Sequence, residues 1–258
     1  MQDHTIPAEA IPRLPDVKTV SLFQPLQWLQ AGLQDLLHTR GLGLFYGGLF
    51  ALMGLGLQTI YATRWQLTMG LTAGFFLLGP FVCTGLYELS RQRARGETPS
   101  LLASLICWRR NLPSIAFFAV ILTFAMIVWA RVSIVIFALF SNTDFPSLKG
   151  IIAQVVSLNN LEFIGVWAGV GFVFSSLVFA ISVISVPLML DRRTDTMIAV
   201  FSSARALWLN TATLYVWAAL IVLLIGSCLV YFLPGLLVVA PVVGHATWHA
   251  YRALIAEE

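Results

Sequence analysis

Six apolar segments dominate the sequence, and their length limits what the chain can fold into. An α-helix rises about 1.5 Å per residue, so about 20 apolar residues cross the hydrocarbon core of a bilayer. The chain of 258 residues is 59% hydrophobic and only 10% charged, whereas a soluble domain carries about 25% charged residues. We therefore predict an all-α membrane protein with six transmembrane helices. The predicted spans are residues 42–61, 66–89, 113 to the 130s, 162–190, 211–232 and 236–254.

The basic residues indicate how these spans are oriented. In a six-span arrangement, only Arg64 and Lys149 fall on one side, and Arg131 lies near that interface. Lysine and arginine are enriched in cytoplasmic loops. We therefore expect both termini to be cytoplasmic, and the same topology explains the basic residues without nucleic-acid binding. The residues on the predicted cytoplasmic side are Arg13, Lys18, Arg40, Arg91, Arg93, Arg95, Arg109, Arg110, Arg192, Arg193, Arg205 and Arg252.

The chain divides into a short tail and one transmembrane domain. Residues 1–20 are proline-rich and polar, which predicts a disordered cytoplasmic tail. They also lack the apolar core of a cleavable signal peptide. Residues 21–258 then form the predicted six-span domain.

A repeated order of elements is visible within that domain. Segments 22–37, 98–111 and 195–209 have the apolar spacing of amphipathic helices, which we expect to lie on the cytoplasmic membrane surface. An outward span and an inward span follow each of them. Because each unit holds two spans, all units share one orientation, and we predict three parallel repeats. Their approximate bounds are 21–95, 96–193 and 194–255.

Polar residues recur at fixed offsets in the inward spans. Pro80, Pro187 and Pro241 are each followed by polar residues four and eight positions later, and two of them also eleven positions later. At about 100° per residue, these offsets share one helical face. We expect the three helix ends to converge in a polar cluster that could bind a ligand. Its predicted members are Glu88, Arg91, Asp191, Asp195, His245, His249 and Arg252.

The residues of this cluster are compatible with several functions. His245 and His249, one turn apart, could bind a metal such as zinc, copper or iron, or haem, with Glu88 and Asp191 adding oxygen ligands. The same histidines could instead hydrogen-bond carboxylates and hold the helices together, or handle a substrate or proton. A proline also frees a carbonyl one turn earlier, which could serve a ligand. The sequence itself requires no cofactor, because no nucleotide-binding or hydrolase motif occurs.

Three stretches carry a family resemblance: GPFVCTGLYELSR at 79–91, PLMLDR at 187–192 and GHATWHAYR at 244–252. Over about residues 20–255, the chain resembles bacterial predicted integral membrane proteins with a domain of unknown function. The resemblance implies a bacterial inner-membrane location and no established activity. Some members are labelled as cytochrome c oxidase subunits. The four histidines of this chain are too few for the haem and copper ligands of an oxidase core subunit, so the label implies at most an accessory or assembly link.

Three functions remain open on the sequence. The first is a non-enzymatic accessory or scaffold component of a membrane complex, for example a respiratory complex. The second is a small-solute transporter with a polar vestibule facing the cytoplasm. The third is a metal- or haem-binding membrane protein. The expected partners are the lipid bilayer and either another membrane protein or further copies of this chain.

Overall fold

A computed structural model describes residues 14–63, 82–140 and 161–256. These residues are almost entirely helical and form no β-strand; Val17 and Ile255 make a single antiparallel bridge. Short 3-10 turns at Cys107–Asn111 and Leu233–Gly235 join neighbouring helices. The α-helices are α1 (Gln24–Thr39), α2 (Gly41–Thr63), α3 (82–94), α4 (Leu101–Ile106), α5 (Leu112–Phe140), α6 (Leu161–Ser182), α7 (Ser185–Arg192), α8 (Thr196–Leu209), α9 (Thr211–Tyr231) and α10 (Leu236–Leu254).

Five helical segments within the described ranges are long and apolar enough to cross a membrane. They correspond to the first, third, fourth, fifth and sixth predicted spans, so the all-helical membrane architecture is confirmed. Most of predicted span 66–89, Pro80 and the predicted outer loop lie outside the described residues. The second predicted span, the total of six spans and the three repeats therefore stay predictions. The five segments are Gly41–Thr59, Leu101–Phe140, Leu161–Arg192, Thr211–Tyr231 and Leu233–Leu254.

The fourth predicted span is not one continuous helix. It is interrupted between α6 and α7, just before Pro187. Proline lacks an N–H, and its ring clashes with the carbonyl of the residue four positions earlier, here Val183. The hydroxyl oxygen of Ser185 lies 2.6 Å from the carbonyl oxygen of Ile181 in α6 and 3.1 Å from that of Ala199 in α8. The Ser185 side chain thus bonds near the break, and the break places α7 against α8.

Helix α10 packs against α1 and α2 through glycines. A Cβ atom on Gly47 would lie 1.9 Å from the carbonyl oxygen of Leu237, and one on Gly32 would lie 2.5 Å from that of Val242. Pro241 cannot donate to the Leu237 carbonyl, which is one turn earlier in α10. The freed carbonyl therefore lies against the α2 backbone, where small residues allow close approach. The expectation that it serves a ligand stays a prediction, although α2 occupies the space beside it.

The three segments predicted to be amphipathic turn many of their large apolar residues outward. Leu26 of α1, Leu102 of α4 and Trp208 of α8 are 56%, 70% and 83% exposed. Small or polar residues such as Ser104 in α4 and Ser202 in α8 are buried, whereas α1 also buries Trp28 and Leu36. Much of the apolar stripe seen in each sequence segment is therefore an outer surface.

Close to the first helix, the predicted tail makes backbone hydrogen bonds with the C-terminal part of the chain. Disorder is expected through residues 1–20, yet the backbone N–H of Lys18 donates to the Leu254 carbonyl at 2.8 Å. The N–H of Ala256 likewise donates to the Asp16 carbonyl at 3.0 Å. Backbone pairing of this kind requires no side-chain pattern, so composition could not reveal it. Residues before 14 lie outside the described ranges.

Candidate functional site

A buried carboxylate, Asp35 of α1, joins three helices at one end of the bundle. It is 2% exposed. The hydroxyl of Ser90 donates to Oδ2 at 2.5 Å, and His249 Nε2 lies 2.9 Å from the same oxygen. Arg93 donates from Nη1 to Oδ1. Because Ser90 and Arg93 belong to α3 and His249 to α10, one carboxylate connects all three helices. We call this end of the bundle the polar end.

His245 extends the network into the protein interior. The residue is fully buried, and its Nδ1 lies 2.7 Å from the Ser90 hydroxyl oxygen. Ser90 has one proton, which it gives to Asp35, so the network assigns the Nδ1–H tautomer to His245. Its Nε2 then carries a lone pair and has no hydrogen-bond partner among the described residues. A Cβ atom on Gly43 of α2 would lie 3.6 Å from this nitrogen, so α2 packs closely there.

The environment of Asp35 keeps its carboxylate ionised. Burial raises the pKa of Asp35, but hydrogen bonds from His249 and Ser90 lower it, and the two histidines add favourable charge interactions. The lowering effects prevail, and the pKa lies below the ordinary value of 3.8. At neutral pH, Asp35 is therefore an anion whose hydrogen-bonding capacity is taken up by other helices.

Glu88 of α3 forms a second buried cluster. It is fully buried, and Arg91 binds it with Nε and Nη2 at 2.7 and 2.8 Å. Arg110, from the 3-10 turn after α4, donates to Oε2 at 2.9 Å. The Gln92 amide donates to Oε1 at 3.2 Å. Such charge-assisted and bidentate bonds are the strong ones, so Glu88 fastens the 3-10 turn to α3.

Asp191 of α7 forms the third contact point of the polar end. The Tyr251 hydroxyl of α10 donates to Oδ2 at 2.8 Å. Arg252 of α10 lies 3.9 Å from Oδ2, and Arg95, just after α3, lies 3.8 Å from Oδ1. The ends of α3, α7 and α10 therefore meet, with α1 completing the group.

The pairing within this group agrees only in part with the one the sequence pattern predicts, which opposes Glu88, Asp191 and Asp195 to His245, His249, Arg91 and Arg252. Arg91 binds Glu88, and Arg252 lies near Asp191, as in that set. The histidines instead flank Asp35, and Arg110 also binds Glu88. Asp195 does not join the cluster: it is exposed and caps α8, accepting from the N–H groups of Met197 and Ile198 at 2.7 and 3.0 Å.

The sequence reasoning missed residues that are central to this end. Asp35 lies in the segment whose apolar spacing predicts an amphipathic surface helix, yet Trp28, Gly32, Asp35 and Thr39 recur every three or four positions and lie on the buried face of α1. A glycine within that leucine-rich helix was the available signal for close packing. The other missed participants are Ser90, Arg93, Arg110 and Tyr251.

The predicted metal ligands are arranged for hydrogen bonding. Within the described ranges, no group of three or more histidine, cysteine or acidic residues could hold a metal ion. His245 and His249 share Asp35 through direct and serine-mediated contacts, and Glu88 and Asp191 face arginines. Saturated carboxylates of this kind connect helices and leave few lone pairs for a ligand.

Comparisons with known proteins agree with the membrane architecture. Residues 67–191 match a family model described as "Predicted integral membrane protein (DUF2189)". The chain is similar to this family of unknown function. The match includes 79–91 and most of 187–192, whereas 244–252 lies outside it. Searches of curated proteins and of solved structures gave no match. The expected resemblance to integral membrane proteins with a domain of unknown function is thereby confirmed.

Proposed function

We propose that this integral membrane protein is a non-enzymatic accessory or scaffold component of a membrane complex, in which the polar end fixes the helices. One observation carries the proposal: the buried carboxylates Asp35 and Glu88 are each bound by side chains from neighbouring elements. A binding vestibule needs polar groups that face an open space. These groups face one another, as expected of a structural connection.

The lateral surfaces support a role in assembly. Two of the candidate spans are mostly exposed on the outside of the chain. In the 18-residue apolar part of Leu101–Phe140 only 17% is buried, and in that of Thr211–Tyr231 only 22% is buried. Phe124 of α5 and Val222 of α9 are examples of large exposed side chains. Such surfaces are available to lipid or to another membrane protein. We place the polar end and both termini in the cytoplasm of a bacterium, with the spans in its inner membrane.

Purification of the full chain in a mild detergent tests this function. We expect a membrane complex that copurifies in fixed stoichiometry and survives size-exclusion chromatography. A monodisperse chain without a partner that catalyses solute uptake in liposomes would contradict it. A Soret absorption band, or stoichiometric metal in elemental analysis, would favour the metal- or haem-binding alternative instead.

A second candidate, a proton-coupled small-solute transporter, is favoured by a different observation. Hydrogen bonds run from the partly exposed His249 through Asp35 and Ser90 to the buried His245. Such a chain could carry a proton from the surface into the bundle. Proteoliposomes containing a pH-sensitive dye would test it: solute-dependent acidification that is abolished in His245→Phe supports transport, and acidification equal to that of empty liposomes rejects it.

A further inference from the structure

A cleft beside the 3-10 turn Cys107–Asn111 lies apart from the Asp35 network. Its volume is about 290 Å³, and it is lined by Ala103, Ile106, Cys107, Arg109 and Arg110. The cleft is open on one side and is large enough for a small anionic group. Two consecutive arginines on its wall make it chemically distinct from the surrounding apolar surface.

Glu88, the carboxylate bound by Arg110, does not neutralise the arginines of the cleft. Glu88 carries one negative charge, and both Arg91 and Arg110 bind it. Arg110 uses Nη1 for that bond, and a guanidinium carries five N–H donors, so it can bind a second acceptor. Arg109 is exposed and lies over the ring of Trp108, with 5.5 Å between Cζ and the ring centroid. The cleft therefore presents more positive charge than Glu88 neutralises.

The surroundings of the cleft are apolar. Leu102 and Leu105 of α4 are exposed, and Ile106, which lines the cleft, is 43% exposed. Helix α5 begins directly after the turn, at Leu112, and continues as a candidate span. The cleft thus lies where a membrane helix starts, which is the depth of lipid headgroups. Its arginines and its apolar rim match the two parts of an amphiphilic anion.

We propose that this cleft binds a phosphate group, with the headgroup of an anionic phospholipid as its source. Guanidinium groups bind phosphate oxygens bidentately, and Arg109 and Arg110 together supply such donors. The acyl chains would lie against Leu102 and Ile106. A free phosphate ester offers the same charge but cannot use that apolar contact. The inference is independent of whether the protein is a scaffold or a transporter.

Native mass spectrometry of the full chain, released from detergent, tests the site. Phosphatidylglycerol, phosphatidylcholine and inorganic phosphate are titrated separately. We expect one phosphatidylglycerol to bind preferentially. Arg109→Gln should weaken binding about tenfold, as expected for losing a charge-assisted hydrogen bond. Ala103→Leu, which fills the cleft, should weaken it similarly. Arg205→Gln, which changes an exposed arginine on α8, is the matched control and should leave binding unchanged.

The arms of the experiment separate the two sources of phosphate. Preference for phosphatidylglycerol over inorganic phosphate supports a lipid site. Equal binding of inorganic phosphate, lost in Arg109→Gln, supports the phosphate site with a soluble ligand as its source. Equal binding of phosphatidylcholine and phosphatidylglycerol would overturn the proposal. So would unchanged phosphatidylglycerol binding in both Arg109→Gln and Ala103→Leu.

Discussion

Oδ2 of Asp35 lies 2.9 Å from Nε2 of His249, although the two residues are 214 positions apart in the chain. The same oxygen accepts the hydroxyl proton of Ser90. A helix that precedes the first span is thereby connected to the last helix and to the end of α3. This connection is the basis of a structural role for the polar end, and it makes Asp35 the most informative position to change.

Asp35→Asn should destabilise the protein. The change removes the charge that Arg93 and His249 contact and leaves both without their anion. Breaking a buried ion pair costs about 3–5 kcal/mol, and we expect about 3 kcal/mol because both partners keep partial exposure. The free energy of unfolding by sodium dodecyl sulfate in mixed micelles measures the change. Glu97→Gln, which neutralises an exposed carboxylate near the same end, should have little effect. Equal losses for the two variants would argue against a special role for Asp35.

The stability that Asp35 provides should depend on pH. Its pKa in the folded protein is below 3.8, so the contribution is fully present above that value and is lost as pH falls through the lowered pKa. We expect the difference in unfolding free energy between the unmodified protein and Asp35→Asn to shrink as pH falls from about 5 to about 2.5. The measurement is a series of unfolding curves for both proteins. A difference that stays constant would show that ionisation of Asp35 contributes nothing.

The membrane architecture was predictable because it depends on local properties of the sequence. Apolar length alone identified α2, α5, α9 and α10, and Pro234 with Gly235 marked the turn before α10. The break before α7 could have been anticipated from Pro187. Proline in a membrane helix is often tolerated as a kink, however, and the contact of Ser185 with α8 does not follow from the local sequence.

Gly47→Ala should separate α2 from α10. The new methyl group would be built 1.9 Å from the Leu237 carbonyl oxygen, and that oxygen belongs to backbone and cannot rotate away. We expect a loss of about 1–3 kcal/mol or more from overpacking. Gly56→Ala is the matched control on the same helix, because its methyl group meets nothing within 4 Å. Thermal unfolding in detergent compares them, and equal melting temperatures would contradict the close approach.

Ser90→Ala should also destabilise the polar end. Removing the hydroxyl leaves the Nδ1–H of the buried His245 without its acceptor and takes one donor from Asp35. An unsatisfied buried polar group costs about 1–3 kcal/mol. Ser227→Ala is the comparison, since this exposed hydroxyl bonds only within its own helix at 3.0 Å. If Ser90→Ala unfolds at the same detergent concentration as Ser227→Ala, the hydrogen-bonded bridge is absent.

The position of the site was predictable from the sequence, but the pairing of its side chains was predictable only in part. Helical offsets after Pro187 and Pro241 located Asp191, His245 and His249 near one end of the bundle. Partners are set by which helices touch, and α10 packs against α1, a helix that the sequence analysis assigns to the membrane surface. The sequence pattern therefore includes Arg91 among the partners of Glu88, but it leaves out Arg110 and gives the histidines no contact with Asp35. Hydropathy contains no information on such contacts.

A double-mutant cycle between Asp35 and His249 tests the structural role of the polar end most directly. The unfolding free energies of Asp35→Asn, His249→Gln and the double variant are compared with that of the unmodified protein. We expect the double variant to lose about 1–3 kcal/mol less than the sum of the single losses, because each single change already breaks the shared contact. Additive losses would contradict the account, since they would show that the two side chains do not stabilise one another.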